Sequence, residues 1–210
     1  MLTPELEVEM LRELLKNRPR DRFTARELGN KAHWRWDRGQ YLEAAVLFTA
    51  AASQCADEMR QVPTNRDNTF NYRVRSGVTF RLAGEIERAW PILLEATTFD
   101  WQAAGIPEDD HFTEWAFVEM LCVLAEREAK FAFAELFRHA VARCAELGSP
   151  FPSIKLKQEQ LLDWCEFPGL ERELTHVIER IQSQGNISRR LARRMAQLKL
   201  CNQHASEPCS

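Results

Sequence analysis

The chain has 210 residues, 45% hydrophobic and 28% charged, with a formal net charge of -3. That balance suits a folded globular protein with a sizeable core, and the mild acidity argues against a surface that coats nucleic acid throughout. No apolar run approaches the roughly 20 residues of a membrane-spanning helix, and the acidic, amphipathic start MLTPELEVEMLRELL does not read as a secretory signal; the expected location is the cytoplasm, with no membrane partner.

In chain order, Leu6, Met10, Leu11 and Leu14 make a helical stripe that predicts a first helix within 1–20, placed to cap one end of the domain. The proline of NRPRDR closes it, because proline opposes helix at its predecessor. Thr24 with Glu27 three places on is a capping-box pattern. It opens a helix in which Leu28, Ala32 and Trp36 share a face. Gly39 is the expected left-handed stop. Tyr41, Ala44, Ala45, Phe48 and Ala51 then share a face of the following helix, completing a first hairpin over 24–57. Ala32 and Ala51 are small enough to let the two helices cross closely, with Phe48 filling the space beside them.

A second hairpin, 68–99, follows the same plan. Phe70, Gly77, Phe80 and Ala83 precede Gly84, and Ile86, Ala89, Leu93 and Ala96 follow it. GQYLEAAVLFTAAA from Gly39 is matched by GEIERAWPILLEAT from Gly84, 45 residues later, and Gly77 stands at the offset of Ala32. Pro91 predicts a kink in the second helix or a later start. Extending the period places Phe137 and Ala140 44 residues after Leu93 and Ala96, with the turn on Glu128, and predicts a third hairpin over 112–147. A fainter fourth, 153–185, is marked by Gly169, Ile178 and Ile181 after the breakers LGSPFP. The stretches 57–68 and 100–110 read as inserted linkers. A helix over 187–203 with Ile187, Leu191, Met195 and Leu198 on one face closes the far end, before a flexible tail, 204–210. No sustained alternating pattern predicts a strand, so the expected class is all-α.

The constellation Ala32, Gly39, Tyr41, Ala44, Phe48, Ala51, repeated as Gly77, Phe80, Gly84, Ala89, Leu93, Ala96, resembles the tetratricopeptide repeat. The resemblance implies a right-handed α-solenoid of about four hairpins with N- and C-terminal capping helices. The spacing exceeds the roughly 34 residues of that family, and Ala56 stands where the family places a proline after the second helix. In such repeats the first helix of each hairpin lines a concave groove. The resemblance thus nominates Arg26, Asn30, His33, Asp37, Asn71, Arg75, Arg81, Glu119 and Glu126 as partner-binding residues. Gly29 and His33 replace the lysine-asparagine pair with which chaperone-binding members hold a C-terminal carboxylate.

No phosphate loop, dinucleotide fingerprint, nucleophile elbow or zinc-protease helix occurs, so no cofactor, metal site or catalytic residue is expected. The richest polar cluster is Asp109, Asp110, His111 and Glu114. A helix beginning near Phe112 accounts for it, with Asp110 or His111 as N-cap and Glu114 in the first turn. The six cysteines contain no C-x-x-C pair and read as thiols, mostly buried. Arg189, Arg190, Arg193 and Arg194 form a basic patch on the last helix without interleaved aromatic residues. The expected function is a non-enzymatic scaffold that holds a protein or peptide in its groove. A bacterial chaperone or an immunity protein is the more specific form of that expectation. The alternative is a nucleic-acid-associated regulator using the basic helix, and a third, least favoured, is an enzyme centred on His111.

Overall fold

The computed structural model describes residues 2–62, 68–100 and 110–146, with Glu179 and Arg193. Among the described residues there are seven α-helices, one 3₁₀ turn (Arg20–Arg22) and no strand. The helices are α1 (Pro4–Leu14), α2 (Ala25–Trp36), α3 (Tyr41–Gln61), α4 (Thr69–Leu82), α5 (Ile86–Thr97), α6 (Asp110–Glu126) and α7 (Lys130–Glu146). The chain divides into two compact units, Met1–Val123 and Leu124–Ser210.

Local chemistry starts and stops these helices. Thr3 caps α1 by accepting from the Leu6 amide, with Pro4 in the first turn, where its missing N–H costs nothing. The capping box at α2 is complete: the Thr24 hydroxyl accepts from the Glu27 amide at 3.2 Å, and the Glu27 carboxylate accepts from the Thr24 amide at 2.8 Å. Helix α2 ends in a turn whose amides reach back to two different carbonyls. Gly39 donates to Trp36 at 2.8 Å and Gln40 donates to Arg35 at 3.0 Å. The same pair of bonds recurs at Gly84 and Glu85, at Glu128 and Ala129, and at Lys16 and Asn17. This closure requires a residue in the left-handed region, and φ is +71° at Gly39, +79° at Gly84 and +53° at Glu128. The turn positions inferred from sequence are thus all left-handed, the last without a glycine; Lys16 and Asn17, after α1, are left-handed as well.

The first unit packs in sequence order, α2 on α3, α3 on α4 and α4 on α5. Its core includes Leu28, Ala32, Leu47, Phe48 and Ala51, all at most 1% exposed. Each large side chain buried there stabilises the fold by about 1.5–3 kcal/mol. Leu11, Leu14 and Leu15 bring α1 and its end onto the same cluster. Helix α1 also reaches the start of α5: Glu7 pairs with Arg88, and the Leu2 amide donates to the Glu85 carboxylate at 3.1 Å. In the second hairpin Gly77 is buried, and a Cβ built on it would lie 2.8 Å from Leu93 Cδ2 and 3.1 Å from Ile92 Cγ2. Helix α5 begins at Ile86 and runs on through Pro91, which is exposed, so the later start expected as one alternative there does not occur. In the second unit Phe133, Phe137, Ala140 and Cys144 of α7 are buried, and the two phenyl rings stack 6.3 Å apart.

Two boundaries differ from the sequence reading. Helix α3 continues to Gln61, so part of the stretch read as a linker extends the helix; DEMRQ contains no breaker, and the first proline after it is Pro63. Helix α6 begins at Asp110, two residues before Phe112. Asp110 and His111 are therefore helical rather than caps, and Glu114 falls beyond the first turn and is buried. Of the cysteines, Cys55, Cys122 and Cys144 are buried thiols. The fourth hairpin and the 187–203 helix lie outside the described residues, apart from Glu179 and Arg193, which are helical and exposed.

Two substitutions test this architecture. Gly77→Leu drives a side chain into the fully buried Leu93, and we expect it to cost about 1–3 kcal/mol of stability. Glu128→Gly relieves a left-handed conformation that L-residues adopt at a cost, and we expect a gain of up to about 1 kcal/mol, offset in part by glycine's greater freedom in the unfolded chain. Denaturant unfolding midpoints measure both.

Candidate functional site

Within the first unit, α2, α4 and the part of α6 up to Val123 are joined through a cluster of aromatic and charged side chains. Gly29 of α2 makes the first junction possible: a Cβ there would lie 2.7 Å from the Tyr72 ring of α4. Tyr72 therefore lies against α2 and stacks on Phe48 with ring centroids 6.5 Å apart. His33 meets Phe48 edge-on at 5.0 Å. Trp36 makes edge contacts with Phe48 at 6.3 Å and with Trp115 of α6 at 6.1 Å.

An ion pair fixes α6 to α4. Arg81 Nε donates to Glu119 Oε2 at 2.6 Å, with both side chains nearly buried (12% and 11% exposed). The second Glu119 oxygen accepts from the Trp115 indole N–H at 3.0 Å. Glu119 is thereby bonded through both oxygens, which a buried carboxylate requires. Its bond to the indole holds Trp115 at the position where the ring faces Trp36 and Arg75.

Arg75 is the unusual member. Its guanidinium sits 5.2 Å from the Phe112 ring centroid and 5.6 Å from that of Trp115. It is half-buried, and among the described residues it donates to no carboxylate. Contacts with ring faces return about 0.5–2 kcal/mol each, less than a desolvated cation gains from an anion. Burial pushes the Arg75 pKa down, with Tyr72 opposing. Burial, and then the charge of Arg75, hold His33 below the ordinary histidine value, with Asp37 opposing. His33 is therefore neutral at neutral pH and offers one donor and one acceptor nitrogen. Burial raises the Tyr72 phenol, as does Cys55, while Arg75 and Arg26 oppose. The assembled surface is an aromatic wall with one uncompensated cation and a neutral imidazole beside it. It suits an anionic group carried next to apolar surface.

The residues nominated from sequence separate into three groups. His33 and Arg75 come together in this cluster. Arg81 and Glu119 spend their charges on each other, so they hold the face in place. Arg26 and Asn30 of α2 and Asp37, at its C-terminal cap, are exposed. Asn71 is half-buried and bonds weakly to Asn68 at 3.5 Å. Glu126 is exposed and belongs to the second unit. In the basic patch only Arg193 is described; Arg189, Arg190 and Arg194 lie outside. Tyr72, Phe112 and Trp115 are members of the cluster that no sequence motif nominates, and Trp36 shares the apolar face of α2 with Leu28 and Ala32. Their signal was the three-residue spacing to a nominated partner: Trp36 after His33, Tyr72 before Arg75, and Phe112, Trp115 and Glu119 along one face of α6. Among the described residues no group of three His, Cys, Asp or Glu side chains could hold a metal.

The electrostatics of the cluster are measurable. Proton NMR of the full chain should place the His33 pKa below 6.5. In Arg75→Gln it should move up without reaching the ordinary value, since burial is the larger cause. Below the ordinary pKa the unfolded chain binds a proton that folded His33 resists. The contribution of His33 to stability is then complete above about pH 6.5 and is lost as pH falls through its folded pKa. A His33 pKa at or above 6.5 contradicts this arrangement.

Comparison with protein-family models, with curated proteins and with solved structures finds no match for this chain.

Proposed function

We propose that this chain is a non-enzymatic interaction module of tetratricopeptide-like hairpins that holds a segment of a partner protein against α2, α4 and α6. One observation carries the reading: Arg75 is a half-buried guanidinium on an aromatic wall, with no carboxylate among the described residues to answer it. Desolvating a cation without an anion is unfavourable within a fold. The arrangement becomes favourable when a partner supplies the carboxylate. The guanidinium's planar fork suits a bidentate bond to an aspartate or glutamate side chain, and Trp115, Trp36 and Tyr72 supply apolar area around it. Tryptophan, tyrosine and arginine are the residues over-represented where binding energy concentrates.

The partner segment then carries an acidic residue flanked by apolar ones. His33 accepts from or donates to the backbone of the bound segment. A dedicated partner of a chaperone or an immunity protein fits this description, and the site itself does not distinguish the two roles. Arg81 and Glu119 act by holding Trp115.

Partner capture from native cells, followed by affinity measurement on Arg75→Ala and Arg189→Ala, tests the proposal. The expected outcome is a loss of about 1–3 kcal/mol of binding for Arg75→Ala and none for Arg189→Ala. The reverse outcome moves the site to the C-terminal helix.

A further inference from the structure

A cavity of about 460 Å³ opens on α3, α4 and α5, lined in part by Thr49, Ser53, Ser76, Ile92 and five paired charges. Its size falls within the roughly 300–1,000 Å³ of small-molecule sites. The walls are cationic. Arg20 and Arg60 both bond Asp57, and Arg73 bonds Glu95. Three guanidiniums thus face two carboxylates, leaving a formal surplus of one positive charge. Each guanidinium has five N–H donors and spends only one N–H-bearing nitrogen on these pairs. The walls therefore still have donors to offer an anion.

The floor has the opposite character. Thr49 Oγ1 donates to the Ala45 carbonyl at 3.0 Å, and the Ser76 hydroxyl lies 2.6 Å from Thr49 Oγ1. Ser76 is 2% exposed, and its hydrogen goes to Thr49 or to the Ala45 carbonyl at 3.4 Å. Both hydroxyl hydrogens are directed into the protein, so the floor presents lone pairs. A ligand that satisfies walls and floor together carries an oxyanion at one end and hydroxyl groups at the other. We propose that this cavity binds a small hydroxylated organic phosphate. The site is independent of the Arg75 face, since none of its residues belongs to that cluster.

Titrating the isotope-labelled full chain with glucose 6-phosphate, inorganic phosphate and glucose, followed by amide NMR, tests the proposal. The expected result is saturable shifts at Thr49, Ser53 and Ser76, with glucose 6-phosphate binding at least about tenfold more tightly than phosphate or glucose. Arg60→Gln alters a side chain that is 74% exposed, so it should leave the thermal midpoint unchanged while weakening glucose 6-phosphate several-fold. Thr49→Val should remove the advantage of glucose 6-phosphate over phosphate. No saturable shift, shifts centred elsewhere, equal affinity for phosphate and glucose 6-phosphate in the native chain, or unchanged affinity in both variants overturns it.

Discussion

The left-handed residue that closes each hairpin is the constraint on which the rest depends. At Gly39 and Gly84 the same two backbone bonds end one helix and set the entry of the next within three residues. So short a connection leaves the incoming helix little choice but to pack on the outgoing one. In the first unit α2 accordingly packs on α3 and α4 on α5, while α3 packs on α4 between the two pairs. Small residues then set how closely each pair approaches: Ala32 and Ala51 in the first, Gly77 against Leu93 in the second. Gly29 extends this logic between hairpins, because its missing side chain admits the Tyr72 ring.

With the backbones placed, the face of α2, α4 and α6 is held by polar chemistry as much as by area. The Arg81–Glu119 pair is nearly buried and is satisfied on the acid's second oxygen by the Trp115 indole. Such a pair adds little to stability compared with an apolar replacement of equal volume. It does fix where the Trp115 ring stands. Next to it, Arg75 has the burial of a structural charge without the anion that structural charges obtain. The contrast between two arginines six residues apart on one helix separates a group that completes the fold from one that awaits a partner.

Much of the fold was legible from local signals. The capping box, the turn positions and the small residue at Gly77 each depend on a few neighbouring residues, and each is where the sequence put it. Breaks placed by composition fared less well. The run after Ala56 is polar, yet nothing in it opposes helix, so α3 continues to Gln61. The site was half legible. His33 and Arg75 could be nominated from their helix positions, but the pairing of Arg81 with Glu119 joins residues 38 apart and follows only from the packing of α4 with α6. Polarity alone made all four look like groove residues. The aromatic members were harder to see, since a tryptophan at helical spacing reads as core until its neighbours are known.

Arg75 is kept for binding: in the free fold its ring contacts at most offset the cost of its burial. Chemical denaturation of Arg75→Met tests this most directly, because methionine keeps the apolar contact with Phe112 and Trp115 and removes the charge. Stability equal to or above that of the native chain is expected, since an unanswered, half-buried cation is lost. A fall on the order of 3–5 kcal/mol, the cost of breaking a buried ion pair, would show that the guanidinium is answered within the fold and would contradict it.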